Sequence, residues 1–201
     1  MIIGKFYLTL EKKLKYNKMK IIYLFILFVI VALAQIFVPL HMIVDKEDTL
    51  MSGVAYKFKT RPIDPTDPFR GKYITLQYEM DHFETKDSTY VVGEEIYIYL
   101  KNDEQGFAEI SQISKEALEI SKDYVTARVS YYYDNKVNFY LPFNTFYMEE
   151  TKAYDAEVAY TKANRDSLPA NVYALVYIKE DKAVLKDVYI NDTPIQEYVE
   201  K

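Results

Sequence analysis

The feature that most constrains this chain is the run from Ile21 to Leu40, IIYLFILFVIVALAQIFVPL, which carries no charge and is interrupted only by Gln35 and Pro39. As a helix rising about 1.5 Å per residue, those twenty residues reach about 30 Å, the thickness of a bilayer's hydrocarbon layer. A core helix of a soluble protein carries a polar stripe, and this run has none. Lys5, Lys12, Lys13, Lys15, Lys18 and Lys20 precede it, and the positive-inside rule keeps that flank cytoplasmic. The expected organisation is a basic cytoplasmic tail (1–20), a transmembrane helix (21–43) and an extracytoplasmic domain (44–201), a single-pass protein of the cell membrane. Ala32-Leu33-Ala34 before Gln35 also has the A-x-A form of a signal cleavage site, but the apolar run continues to Leu40, long for a signal h-region, which favours an uncleaved anchor. Met19 followed by Lys20 is a second candidate start, with the same orientation resting on fewer lysines.

The charge follows this partition. Residues 1–20 hold six Lys against Glu11, whereas residues 45–201 hold nineteen Lys and Arg against twenty-nine Asp and Glu, a net −10 concealed in the chain's −5. An acidic domain is a poor nucleic-acid ligand, because neutralising phosphates supplies most of that affinity. With no Cys, the chain has no disulfide framework, thiolate zinc site, cysteine nucleophile or lipidated cysteine. Twenty-one Tyr and eleven Phe favour pleated, half-buried surfaces and hence a β-rich domain.

Period-two alternation places the strands. After a short acidic stalk (Asp45, Glu47, Asp48), Val54, Tyr56 and Phe58 alternate with Ala55, Lys57 and Lys59; Ile74, Leu76, Tyr78 and Met80 alternate with Thr75, Gln77 and Glu79. Further strands read from 95–100, 107–113, 124–133, 136–141, 173–179 and 183–190, with hairpin turns at Asp134-Asn135 and Glu180-Asp181. Ala153, Ala156, Tyr160 and Ala163 recur at helical spacing within 149–163, and Leu168-Pro169 ends that helix. The expected class is mainly β (α+β): an N-terminal transmembrane helix, then an antiparallel sheet or partly open barrel with one packed helix.

Between the first two strands lies Arg61-Pro62-Ile63-Asp64-Pro65-Thr66-Asp67-Pro68-Phe69-Arg70-Gly71, whose three prolines in seven residues rule out helix and central strand. Lys72-Tyr73-Ile74-Thr75-Leu76-Gln77-Tyr78 follows directly. This segment resembles the signature of the bacterial GDYXXLXY family, an Arg and a Pro, then D-P-x-D, R-G-D-Y, two free positions, Leu, one free position and Tyr. Gly71, Tyr73, Leu76 and Tyr78 stand in place, and Lys72 replaces the family's Asp. The likeness extends to Phe139-Tyr140-Leu141-Pro142, a Glu-rich helix start at Glu149-Glu150, and Ala183-Val184-Leu185-Lys186. It implies a membrane-anchored protein of a family of uncharacterised function, similar to ones often encoded beside polytopic membrane proteins.

In a regular strand Leu76 and Tyr78 share one face and Tyr73 takes the other, so the motif forms no single row aimed at a ligand. One reading is structural: Gly71 supplies a turn, the Asp-Pro units build Asx-type turns, and Leu76 and Tyr78 pack the core. The other makes Arg61, Pro62, Asp64, Pro65, Asp67, Arg70, Gly71, Lys72, Tyr73, Leu76 and Tyr78 a rigid partner-binding loop. Asp64 and Asp67 lack calcium-loop spacing, and neither a metal site nor a cofactor is expected. His41 belongs to the membrane interface and His82 to a surface loop. No nucleophile-elbow context appears. A faint likeness to type I signal peptidases, which use a Ser and a Lys, meets Met51-Ser52-Gly53-Val54 where an S-M-x-P context belongs, with no paired Ser and Lys in the expected surroundings.

The expected function is a non-catalytic binding or assembly domain whose partners are the bilayer and a polytopic membrane protein. Tyrosines on both faces of several strands, Tyr97, Tyr99, Tyr131, Tyr132, Tyr133, Tyr173 and Tyr177, suit packing or docking. The alternative is an envelope hydrolase or degenerate signal-peptidase-like domain.

Overall fold

The computed structural model describes residues 2–61, 73–120, 122–165 and 171–200, with 2–19, 150, 164 and 165 described by backbone alone. The chain divides into two compact units, 1–45 and 46–201.

Helix α1 runs Ile2–Ser52, with Pro39 inside it. The described part of the expected tail, 2–20, and the stalk at 45–48 are therefore helical too, the latter because nothing between the apolar run and Gly53 breaks the hydrogen-bond ladder. In the first unit, Ile21, Phe25, Phe28, Leu33 and Phe37 are each more than 60% exposed, which in water would be untenable for so long an apolar surface. The segment Lys20–Ser52 is long and apolar enough to cross a membrane.

The second unit begins with the last turns of α1. Thr49 is buried, and Gly53 N–H donates to Thr49 O at 2.9 Å. A Cβ on Gly53 would stand 2.5 Å from Thr49 O and 2.9 Å from Ile178 O, so only glycine lets this turn lie against the neighbouring backbone. The chain then enters β1 (Val54–Arg61), whose Tyr56, Phe58 and Thr60 are buried as alternation requires.

The second expected strand is two short ones: β2 (Tyr73–Thr75) and β3 (Gln77–Tyr78). They belong to different sheets, yet Ile74, Leu76 and Tyr78 keep one buried face. Next come β4 (His82–Glu84), β5 (Glu95–Asn102), β6 (Ala108–Ser114), β7 (Tyr124–Tyr133), β8 (Lys136–Tyr140) and β9 (Thr145–Tyr147). Helix α2 (Glu150–Arg165) buries Ala153, Ala156 and Tyr160. The chain closes with β10 (Val172–Lys179), β11 (Lys182–Ile190), β12 (Thr193–Pro194) and the short α3 (Ile195–Tyr198). Leu168-Pro169, the expected helix stop, lies outside the described residues.

Among the described residues every pairing between strands is antiparallel, in sheets ordered β12-β11-β10-β1-β3 and β4-β8-β7-β5-β6, with β2-β9 as a separate ribbon. The two large sheets share one core, with Phe58, Ile98, Val125, Phe139, Val176 and Ile190 at its centre, and form the expected partly open barrel. A parallel bridge between Lys57 and Phe107 ties β1 to the β5–β6 turn. Asp134 and Asn135, at φ 49° and 58°, form the predicted two-residue hairpin turn with both residues left-handed. Asn191 and Asp192, at φ 50° and 62°, do the same between β11 and β12.

His82 sits in β4 opposite Asn138, a correction to its reading as a loop residue. Three residues are too few for alternation to register.

Candidate functional site

Of the motif, the structure describes Arg61, Tyr73, Leu76 and Tyr78; Pro62, Asp64, Pro65, Asp67, Arg70, Gly71 and Lys72 lie outside the described residues. The two ends of that segment are firmly held. Arg61 Nη1 pairs with Asp81 Oδ2 at 2.6 Å, while Asp81 Oδ1 meets His82 Nδ1 at 2.8 Å. The Tyr160 hydroxyl donates to Arg61 O at 3.5 Å, anchoring the end of β1 to α2. On the far side Tyr78 Oη donates to Phe143 O at 2.7 Å and Leu76 N–H to Asn144 O at 2.7 Å. The rings of Phe58, Tyr78 and Phe143 meet edge to face at centroid distances of 5.0 to 5.8 Å. Tyr73 faces away and packs on Tyr147 at 5.6 Å. Leu76 and Tyr78 are thus core side chains, and Arg61 and Tyr73 are the described motif residues that reach solvent.

A second feature is the outer face of the sheet containing β7 and β8. Tyr131, Tyr133 and Tyr140 are 51%, 75% and 70% exposed. Cross-strand register puts them on one side, with Tyr131 opposite Asn138, Tyr133 opposite Lys136 and Tyr140 opposite Arg128. Val91 and Val92 are also exposed, next to Gly93, whose N–H donates to Val129 O at 2.8 Å. The tyrosines of β5 behave otherwise. Tyr99 is fully buried, and its hydroxyl accepts from Leu118 N–H at 2.6 Å, so the segment after β6 covers it.

A third feature is a side-chain cluster that sequence spacing concealed. Lys179 Nζ, on β10, lies 2.7 Å from Asp48 Oδ2 and donates to Ser52 Oγ at 2.9 Å. Ser52 thus does have a lysine beside it, 127 residues along the chain. Ser52 directs its hydroxyl hydrogen to Asp48 O at 2.8 Å, away from the lysine, and accepts from Lys179 rather than giving it a proton. The hydrogen bond from Lys179 holds the Asp48 carboxyl below its ordinary range, which makes the pair ionic. The cluster locks the last turn of α1 to β10.

Among the described residues no three His, Asp or Glu side chains gather as a metal site. His41 pairs with Asp45 at 3.2 Å one helical turn away. No curated protein and no solved structure matches the chain. The family model described as GDYXXLXY protein matches residues 35–188, which takes in the end of the apolar helix, the motif and the strands packed on it; the chain belongs to the GDYXXLXY family.

Proposed function

We propose that this chain is a single-pass membrane protein whose extracytoplasmic barrel is a non-catalytic binding or assembly subunit of an envelope complex, partnered by a polytopic membrane protein. The observation that carries this reading is the outer face of β7 and β8, where cross-strand register gathers three exposed tyrosines, Tyr131, Tyr133 and Tyr140, on one side of the sheet. Tyrosine offers large contact area at low entropic cost and a hydroxyl for the wet rim of an interface. The basic flank before the apolar helix supports the orientation. A photo-crosslinking amino acid at position 133, activated in native membranes, should capture one polytopic membrane protein stoichiometrically; no adduct beyond lipid would remove the reading. Protease added outside spheroplasts should digest the domain, and full protection would reverse the orientation.

The hydrolase alternative draws on one observation, the 2.9 Å contact between Lys179 and Ser52. An activity-based serine-hydrolase probe separates the two, because labelling of Ser52 would overturn the non-catalytic reading.

A further inference from the structure

Where β7 begins beside the β10–β11 turn, the surface opens into a cleft of about 680 Å³, within the size range that takes a small-molecule ligand. Tyr56, Tyr124, Leu100 and Ile120 give it aromatic and aliphatic walls, and Asp123 and Glu180 supply carboxylates. Asp123 is held from three directions. Tyr56 Oη donates to its Oδ2 at 3.0 Å, Glu180 N–H to its Oδ1 at 3.3 Å, and Leu100 N–H to its carbonyl at 3.0 Å. Tyr124 N–H in turn donates to Glu180 O at 3.1 Å, so both acidic residues are fixed to the same frame.

Other groups of the lining are left without such partners. The Glu180 carboxylate and the Tyr124 hydroxyl make no hydrogen bond with a described residue, and Lys122, the cation in the lining, forms no ion pair with one. Tyr124 is braced by the rings of Tyr97 and Tyr99 at 5.6 and 5.4 Å, which fixes the orientation of its own ring. Desolvation pushes the phenols of Tyr56 and Tyr124 above their ordinary range, helped by Asp123 for Tyr56 and, for Tyr124, by Asp181, then Tyr99 and Tyr97, and last Glu180. Acidic side chains outnumber basic ones in the described lining, Asp123 and Glu180 against Lys122.

We infer that this cleft receives an arginine side chain from a peptide segment of a partner protein, the guanidinium lying over Tyr124 and facing the Glu180 and Asp123 carboxylates. Arginine fits better than lysine because its flat, weakly hydrated cation stacks on an aromatic face and presents several donors in one plane to a carboxylate. Charge complementarity identifies the occupant: the described lining sets the carboxylates of Asp123 and Glu180 against Lys122, so an anionic segment would add charge of the same sign.

The inference deepens the reading of the barrel as a binding module, but its test needs no intact partner. The full chain, labelled with ¹³C-tyrosine and held in phosphatidylcholine nanodiscs, is titrated with blocked pentapeptides Gly-Gly-Xaa-Gly-Gly in which Xaa is Arg, Lys or Glu. The arginine peptide should shift the Tyr124 ring resonance, assigned through Tyr124→Phe, in a saturable and salt-sensitive manner. Glu180→Gln, at an exposed position that leaves the fold intact, should weaken that binding up to about fivefold. Lack of a saturable shift, equal binding of the glutamate peptide, or unchanged affinity in Glu180→Gln overturns the proposal, and equal binding of the lysine peptide overturns the guanidinium assignment. A positive titration with no membrane crosslink would remove the polytopic partner and keep the cleft; the reverse pair of results would remove the cleft alone.

Discussion

Tyr78, the last residue of the family motif, donates its hydroxyl hydrogen to the Phe143 carbonyl at 2.7 Å across 65 residues of sequence. Tyr78 is 5% exposed and Phe143 8%, so this bond is made in the core and has no water to replace it. Tyr78→Phe keeps the ring packing and orphans the carbonyl. It should destabilise the domain by about 1–3 kcal/mol in denaturant unfolding, the range for a buried group left unpaired. Tyr140→Phe, at a position 70% exposed, should change stability by less than about 0.5 kcal/mol. Equal effects of the two would mean that the motif is not read by the core.

Gly53→Ala tests the contact between the end of α1 and β10. The added methyl would meet two backbone oxygens, neither of which can swing aside as a side chain does. The turn or the strand must move, at an expected cost of about 1–3 kcal/mol. Thermal unfolding of the full chain should show it, and an unchanged midpoint would mean that the two backbones separate freely.

What the sequence made legible, and what it hid, divides by the range of the interaction. The alternation of Tyr56 with Lys57, and the parity that puts Leu76 and Tyr78 on one face, are local consequences of the two-residue strand period, and the buried faces follow them. Asp134-Asn135 was readable because few residues tolerate two successive left-handed conformations. The burial of Tyr99 was not, since it depends on a bulge between Tyr99 and Leu100 and on a later segment laid over that face. The Ser52–Lys179 contact depends on β10 pairing with β1, a relation that spacing cannot encode. For the same reason Asp123, just before β7, and Glu180, in the β10–β11 turn, carried no signal of a shared cleft.

The locking cluster at the end of α1 should respond to acid. Lys179 holds the Asp48 carboxyl below 3.8, so its stabilising contribution is complete above the unfolded value and is lost as pH falls through the lower, folded value. Carboxyl ¹³C titration of Asp48 should give a midpoint below 3.8, and Lys179→Met should raise it. No movement in Lys179→Met would assign the shift to Ser52 instead.

Alkali should act in the opposite direction. Burial pushes Tyr160 up to about 12 and Tyr78 well above 10.0, so the fold favours the neutral phenols. Between pH 10 and about 12 the unfolded chain releases protons that the folded one retains, and stability must fall as pH rises through that window. Phenolate absorbance should therefore rise in two stages, exposed tyrosines first and the buried ones together with loss of β-sheet circular dichroism. Titration of all the tyrosines in one step near 10, with the sheet intact, would contradict the burial of Tyr160 and Tyr78.

The exposed face of β7 and β8 gives the prediction that separates stability from function. Tyr131, Tyr133 and Tyr140 make no contribution to the buried core, so replacing each by Ser should move domain stability by no more than about 0.5 kcal/mol. If that face docks a partner, the triple replacement should abolish capture of the polytopic protein from native membranes, because aromatic anchors carry a disproportionate share of interface energy. The control is Tyr147→Ser and Tyr154→Ser, which removes two tyrosines as exposed as these but placed on β9 and α2. Capture surviving the triple replacement would exclude this face, and equal loss in the control would mean that exposed tyrosine in general, rather than this face, governs the association.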